Sequence, residues 1–216
     1  MSIPTYIIGT GGLGRGVAET VKVISERDRN WTFLGFIDDD ASVVGTYING
    51  VKVVGDTEYL LGLNTMANVI IAIANPVVKA KIFEKLSLNK NLLYPNIIHP
   101  SVHLNSSIKM GIGNIISDNV AFSANVFVGD FSLIHFNCTI GHDVEIGDYS
   151  TMYPGANISG YVKLMEKCEI GSNACILPSQ VVREEAIVGA GALVKSEVIS
   201  KSIVVGAPAR EIIRNK

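Results

Sequence analysis

Between Ile98 and Val194 an apolar side chain recurs at every sixth position without a miss, through Leu104, Met110, Ile116 and onward to Val182 and Val188. In a chain that is 48% hydrophobic, seventeen consecutive hits in one fixed register have a chance expectation of roughly four in a million. Neither the period of a helix nor the two-residue alternation of an ordinary strand generates this spacing. The residue two places earlier is small or Val through most of the run, as at Ser132, Cys138, Val144, Ala156, Cys168 and Ala192, and both positions are expected to point inward. Glycine follows the periodic residue at Gly111, Gly129, Gly141, Gly147, Gly171 and Gly189, which reads as a turn using glycine's conformational freedom. Each unit is then a short strand plus a turn, and the units stack as a solenoid. Leu164 to Cys168 lacks the turn glycine and Gln180 breaks the small-residue rule, so a local bulge is expected there.

Residues 1–95 follow other periods. Tyr6 to Ile8 reads as a strand, followed by the run Gly9, Thr10, Gly11, Gly12, Leu13, Gly14 and an amphipathic helix carrying Val17, Ala18, Val21 and Ile24. A second strand runs from Trp31 to Ile37 and ends in Asp38, Asp39 and Asp40. A third, Val69 to Ala74, ends at Asn75 and Pro76, and turn residues lie around Asn49 and Gly50. Such alternation predicts a small Rossmann-like α/β domain with a parallel sheet and its ligand at the carboxyl ends of the strands. Residues 96–216 form the second domain, ending in a tail with a short helix expected at Ala209 to Arg214.

A formal net charge of −2 gives no basic field to hold a nucleic acid backbone. The longest apolar stretches are far below the roughly 20 residues of a membrane span, and Met1 to Thr10 lacks the charged opening of a signal peptide, so the chain reads as cytoplasmic. Cys138, Cys168 and Cys175 are odd in number and lack C-x-x-C spacing, which fits packed thiols better than disulfides or a thiolate zinc site.

Two places carry chemistry. The G-x-G-x-x-G run would let backbone N–H groups of Gly9, Gly11, Gly12 and Gly14 approach a phosphate at a helix N-terminus, with Asp38 near the place of a ribose-binding carboxylate. So short a domain fits a mononucleotide better than a dinucleotide; a tight turn beside a solvated acidic loop, or a redox module, also fits the spacing. In the run Ile140 to Asp148, His142 occupies a turn, and one 18-residue coil to either side lie Ala124 and Gly160. Small neighbours leave room for a ligand. An imidazole suits a general base, and Asp143 could hold its tautomer if the turn bends the adjacent pair together. An exposed turn histidine and a non-catalytic scaffold also fit. His135, one coil before Tyr153, reads as a stacked corner residue. A γ-type carbonic anhydrase has a similar helix with three zinc-binding histidines, but His135 and His142 have no third partner, so no metal is expected.

The aliphatic, glycine, x, x, small, x pattern over residues 98–194 resembles the left-handed β-helix hexapeptide acyltransferases. With both halves read, the whole chain resembles the NeuD/PglD-like group of sugar O- and N-acetyltransferases. The residues that carry this are Ile7 to Gly12, Gly35 to Asp40, Ile98 to Pro100, the His142–Asp143 pair, and the closing Val205 to Arg210. The resemblance implies a left-handed sense, a homotrimer, acetyl-CoA between neighbouring helices, and a nucleotide sugar in the N-terminal domain. It implies His142 as base assisted by Asp143, and cofactor contacts from the Gly160 N–H and from Arg210 in the tail. Many relatives have a second histidine nine residues after the first, where this chain has Thr151.

Overall fold

A two-residue strand cannot stand alone, so each six-residue unit needs a partner, and the choice of partner decides the architecture. A computed structural model describes residues 2–28 and 31–212 of the chain. Two compact units result, Met1–His99 and Pro100–Lys216.

In the second unit, the strand pairs between Lys109 and Val194 lie 18 residues apart and run parallel. The first face holds Ala121–Phe122, Thr139–Ile140, Asn157–Ile158, Cys175–Ile176 and Leu193–Val194. Lys109–Met110 through Val181–Val182 form the second, and Ile115–Ile116 through Ile187–Val188 the third. This is a parallel β-helix of triangular coils. From Ile116 to Val194 every periodic residue is buried except Phe122, which is half-buried. Ser132, Cys138, Val144, Ala156, Cys168 and Ala192 are buried beside them. The expected bulge is not formed. Lys163–Leu164 pairs with both neighbours without a shift, because the Gln180 amide donates to Pro178 O at 3.1 Å rather than entering the interior.

The corner glycines have a different task from the expected one. None of Gly111, Gly129, Gly141, Gly147, Gly171 and Gly189 has a positive φ. Their requirement is space, since a Cβ on Gly141 would lie 2.6 Å from Gly160 N, and one on Gly147 would lie 2.7 Å from Glu166 N. The left-handed conformation falls two residues later, at every sixth position from Gly113 to Gly191. Asn119, Asn125, Asn137, Asp143 and Asn173 tolerate it. Phe131, Tyr149, Tyr161, Lys167 and Glu185 hold it at a cost on the order of 1 kcal/mol each.

The tail is strand rather than helix over the described residues. Arg210–Glu211 pairs antiparallel with Ile203–Val205, and Ile212 N–H donates to Ile203 O at 2.8 Å. Gly206, at φ +91°, lets the chain double back, so these residues find ladder partners that a free helix would lack. Ile213 and Arg214 of the expected helix lie outside the described residues. The tail meets all three faces. Val198 bridges to Val182, Ile203–Val205 extends the third face, and Leu193 exchanges hydrogen bonds with Gly206 and Ala209.

The first unit holds strands β1 (Ile3–Ile8), β2 (Trp31–Ile37), β3 (Tyr47–Ile48), β4 (Val51–Gly55), β5 (Ala67–Ile71) and β6 (Leu92–Leu93), in the sheet order β3-β4-β2-β1-β5-β6. All pairs are parallel except the β3–β4 hairpin, whose Asn49–Gly50 turn has two positive φ values, the turn that matches strand twist. Helix α1 (Gly12–Arg27) buries Val17, Ala18 and Val21. The third expected strand stops at Ile71, and Asn75 caps helix α2 (Pro76–Leu86) by accepting from Val78 N–H.

Gly147→Ala is expected to destabilise the protein by about 1–3 kcal/mol, the usual range for overpacking, because the atoms its methyl meets are backbone of the next coil. Thermal denaturation checks this; an unchanged Tm would mean that the coils can spread.

Candidate active site

His142 and Asp143 lie at the corner between the strands Thr139–Ile140 and Glu145–Ile146. On a regular strand their side chains would diverge. Asp143 instead has φ +57°, and this left-handed turn brings Nδ1 of His142 to 2.9 Å from Oδ2 of Asp143. A carboxylate only accepts, so Nδ1 carries the proton and Nε2 the lone pair. The next coil passes close to that nitrogen, since a Cβ on Gly160 would lie 2.6 Å from Nε2. His142's side chain is 53% exposed, so a ligand can reach it.

Asp143 is itself held. Its Oδ1 accepts from Asn125 Nδ2 at 3.0 Å, one coil away. The bond to His142, then that to Asn125, with a smaller effect from the Tyr161 side chain, keep its carboxyl below the usual aspartate range against a small opposing desolvation. The Tyr161 ring stands perpendicular to the imidazole, 5.0 Å between centroids.

The corners of the helix differ in whether a side chain meets the backbone amide of the coil before it. At another corner, Asp130 Oδ1 accepts from Ile112 N–H and Asp148 Oδ1 accepts from Asp130 N–H, both at 2.8 Å. Each carboxylate satisfies the amide 18 residues earlier. One coil past Gly160 the equivalent residue is Pro178, with no acceptor in its side chain. Among the described residues the Gly160 N–H has no acceptor. Beside this corner runs a shallow groove of about 380 Å³ whose lining includes Ala121, Ser123, Thr139, Gly141, Asn157 and Ser159.

His135 is built differently. Its Nδ1 accepts from Phe136 N–H at 3.0 Å, so the lone pair is committed, and burial lowers its pKa against an opposing pull from Asp118. The ring contact is with Phe136 rather than with Tyr153, whose hydroxyl donates to Glu169. Cys138 and Cys168 are buried, and burial pushes their thiols up to about 11 and about 12. Thr151 is fully buried on the third face. Among the described residues no group of His, Cys, Asp or Glu gathers to hold a metal, and no helix is long and apolar enough to cross a membrane.

In the first unit the four glycines divide by role. A Cβ on Gly14 would collide with Gly9 O, and one on Gly9 would crowd Ile73 and Ala72, so these two allow β1 and α1 to pack. Gly11 and Gly12 face open space at the start of α1, whose first turn has no acidic residue. Arg15 stands exposed in the same turn. Asp38 Oδ2 accepts from both the N–H and the hydroxyl of Thr10, at 3.0 and 2.7 Å, so this carboxylate shapes the glycine loop. Arg210 is exposed on the tail hairpin, beside a cavity of about 210 Å³ that Lys195 and Glu211 also line. Asn125 and Tyr161 were not singled out from sequence, although subtracting and adding 18 at Asp143 reaches both.

The PglD N-terminal domain family matches residues 5–86, and six repeats of the bacterial transferase hexapeptide family match residues 125–160. Among solved structures, a histidine variant of perosamine N-acetyltransferase from Caulobacter crescentus, in complex with CoA and GDP-perosamine, superposes with a TM-score of 0.87 at 26% identity, covering 97% of this chain and 96% of that one. The acetyltransferase domain of PglB from Neisseria gonorrhoeae, in complex with acetyl coenzyme A, gives 0.87 at 25% identity over 98% and 100%. WeeI from Acinetobacter baumannii gives 0.83 at 26% over 98% and 100%.

Because folding acidifies Asp143, its ionised form supports the folded state above the ordinary value of 3.8, and that support is lost as pH falls through the lower folded-state value. A carboxyl-carbon NMR titration should give Asp143 a midpoint below 3.8, moved upward most by His142→Ala and less by Asn125→Ala. A midpoint at or above 3.8 in the unsubstituted protein would contradict the contacts described.

Proposed function

We propose that this chain, whose two units match the PglD N-terminal domain and bacterial transferase hexapeptide families, moves an acetyl group from acetyl-CoA to an amino or hydroxyl group of a nucleotide-activated sugar. One observation carries the reading: a His–Asp pair whose Nε2 stands free beside Gly160, at the edge of a shallow groove. The solved relatives in complex with CoA or acetyl coenzyme A support the donor, and GDP-perosamine on one of them supports a nucleotide sugar as acceptor. That relative is an N-acetyltransferase, which favours an amine.

In this reading the acceptor nitrogen attacks the thioester carbonyl carbon while Nε2 of His142 takes its proton. The C–N bond forms, and the carbonyl oxygen becomes an oxyanion toward which the Gly160 N–H donates. Asp143 stabilises the imidazolium through Nδ1–H. The intermediate then collapses, the C–S bond breaks, and the proton passes from Nε2 to the CoA sulfur. No acyl-enzyme is involved, which agrees with the inert character of the buried Cys138 and Cys168 thiols.

The donor's phosphates are assigned to the tail, with Arg210 as a contact. The acceptor's phosphates are assigned to the amides of Gly11 and Gly12 at the start of α1, where the helix dipole and Arg15 favour an anion. Asp38 holds that loop and faces the nucleoside. The reading includes a homotrimer, in which a neighbour's helix supplies the second wall of the shallow groove. It needs no metal.

His142→Ala should lower kcat by about 10²- to 10⁴-fold and leave stability within about 1 kcal/mol, as for surface positions. His135→Ala, with its committed Nδ1, should stay within a few-fold. Acetyl transfer to GDP- and UDP-amino sugars, followed by thiol release, measures both, and activity that survives in the first variant but collapses in the second would exclude His142 as the base. Asp38→Ala should raise the acceptor KM and leave the affinity for acetyl-CoA unchanged. Weaker donor binding instead would reverse the roles of the two units.

A further inference from the structure

The left-handed slot of the active-site corner is filled, coil after coil, by Asn125, Asp143, Tyr161 and Ser179, with φ between +57° and +62°. Asn, Asp and Ser are small, and Asn and Asp tolerate this conformation well. Tyrosine is the unsuitable member, since a bulky side chain at positive φ is a genuine outlier. Elsewhere on the helix, packing explains aromatic residues in that slot. Phe131 and Tyr149 stack on each other, 5.6 Å apart and 5° from parallel, and Phe131 is 1% exposed. Tyr161 has no such stack. Its column neighbours are Asp143 and Ser179, and it is 58% exposed. A strained and exposed aromatic residue is not kept in place by burial.

Its contacts are with the catalytic pair. Tyr161 N–H donates to His142 O at 2.9 Å. Its ring stands at 89° to the imidazole with 5.0 Å between centroids, and its side chain also bears on the Asp143 carboxylate. From the opposite coil, Asn125 Nδ2 holds the other oxygen of that carboxylate at 3.0 Å. The imidazole is therefore fixed at Nδ1 by Asp143, braced on its flank by Tyr161, and limited at Nε2 by the approach of Gly160.

We propose that Tyr161 is a positioning residue for the base: its ring and its contact with Asp143 hold the His142 imidazole in the Nδ1–H tautomer with Nε2 directed at the reacting centre. Asn125 completes the clamp from the other side. The inference rests on His142 being the base.

The test is Tyr161→Asn, because asparagine suits the left-handed slot, as Asn119, Asn137 and Asn173 show, and the variant should fold at least as well as the parent. Expected are an unchanged or higher Tm and a kcat lowered about tenfold, with the acetyl-CoA KM within twofold. The ¹⁵N spectrum of the His142 ring should lose its single Nδ1–H signature and show a mixture of tautomers. Tyr161→Phe, which keeps the ring, should recover most of kcat. A residue that merely stabilised the corner would move Tm and kcat together, so a parallel fall in both overturns the proposal. So does an unchanged kcat with the Nδ1–H tautomer intact. His142→Ala, assayed alongside, separates the two levels. If it is inactive while Tyr161→Asn is unaffected, the clamp alone fails; if it stays active, the base assignment falls and the clamp with it.

Discussion

Everything in the helical unit depends on one constraint, the parallel hydrogen-bonded contact between residue i and residue i+18. Parallel strands in one sheet lie about 4.8 Å apart, so a side chain at a corner has the corner residues of the coils above and below as its immediate neighbours. The Asp130 and Asp148 carboxylates, the Asn125–Asp143 bond and the approach of Gly160 to His142 all follow from this spacing. An active site here is a column. A residue deleted within a coil would separate His142 from Gly160 and also reverse which strand residues face inward. Variation at such a site is therefore confined to substitution in place.

The two units answer different physical demands. In the first, a parallel sheet collects glycine-rich backbone and acidic residues at the carboxyl ends of its strands, and Asp38 spends hydrogen-bonding capacity on shaping the loop it belongs to. In the second, the proposed site depends on what the repeat leaves out. Pro178 and Gly160 stand where another corner has aspartates, so an amide that would be satisfied elsewhere stays available. An absent carboxylate matters there as much as a present histidine.

Much of this was legible in the residues, for identifiable reasons. The sixfold apolar period marks the interior without reference to any fold, and adding 18 to His142 reaches Gly160. The role of the corner glycines was misread because a sequence does not distinguish a glycine needed for φ from one needed for space; Gly141 and Gly147 are of the second kind. The left-handed positions were hidden because Phe131, Tyr149, Lys167 and Glu185 occupy them despite their local preference, held by pairing on both sides. The tail misled for a related reason. Ala209 to Arg214 suits a helix locally, yet over the described residues the exposed edge of Ile203–Val205 captures it as a strand. Thr151, where the family resemblance led to the expectation of a second histidine, is fully buried on the third face.

The hairpin that ends the described chain has a consequence for how the protein behaves in concentrated solution. A parallel β-helix is a natural polymer, because its last coil presents three rows of unpaired amide and carbonyl groups spaced to accept the first coil of another copy. Here Val198 caps one row, Ile203–Val205 with its antiparallel partner caps the second, and Gly206 and Ala209 occupy Leu193 on the third. The antiparallel turn also reverses the polarity of the outermost strand, so an incoming parallel coil finds the wrong pattern of donors and acceptors. The tail thus sets the length of the solenoid and prevents fibrous growth from that end.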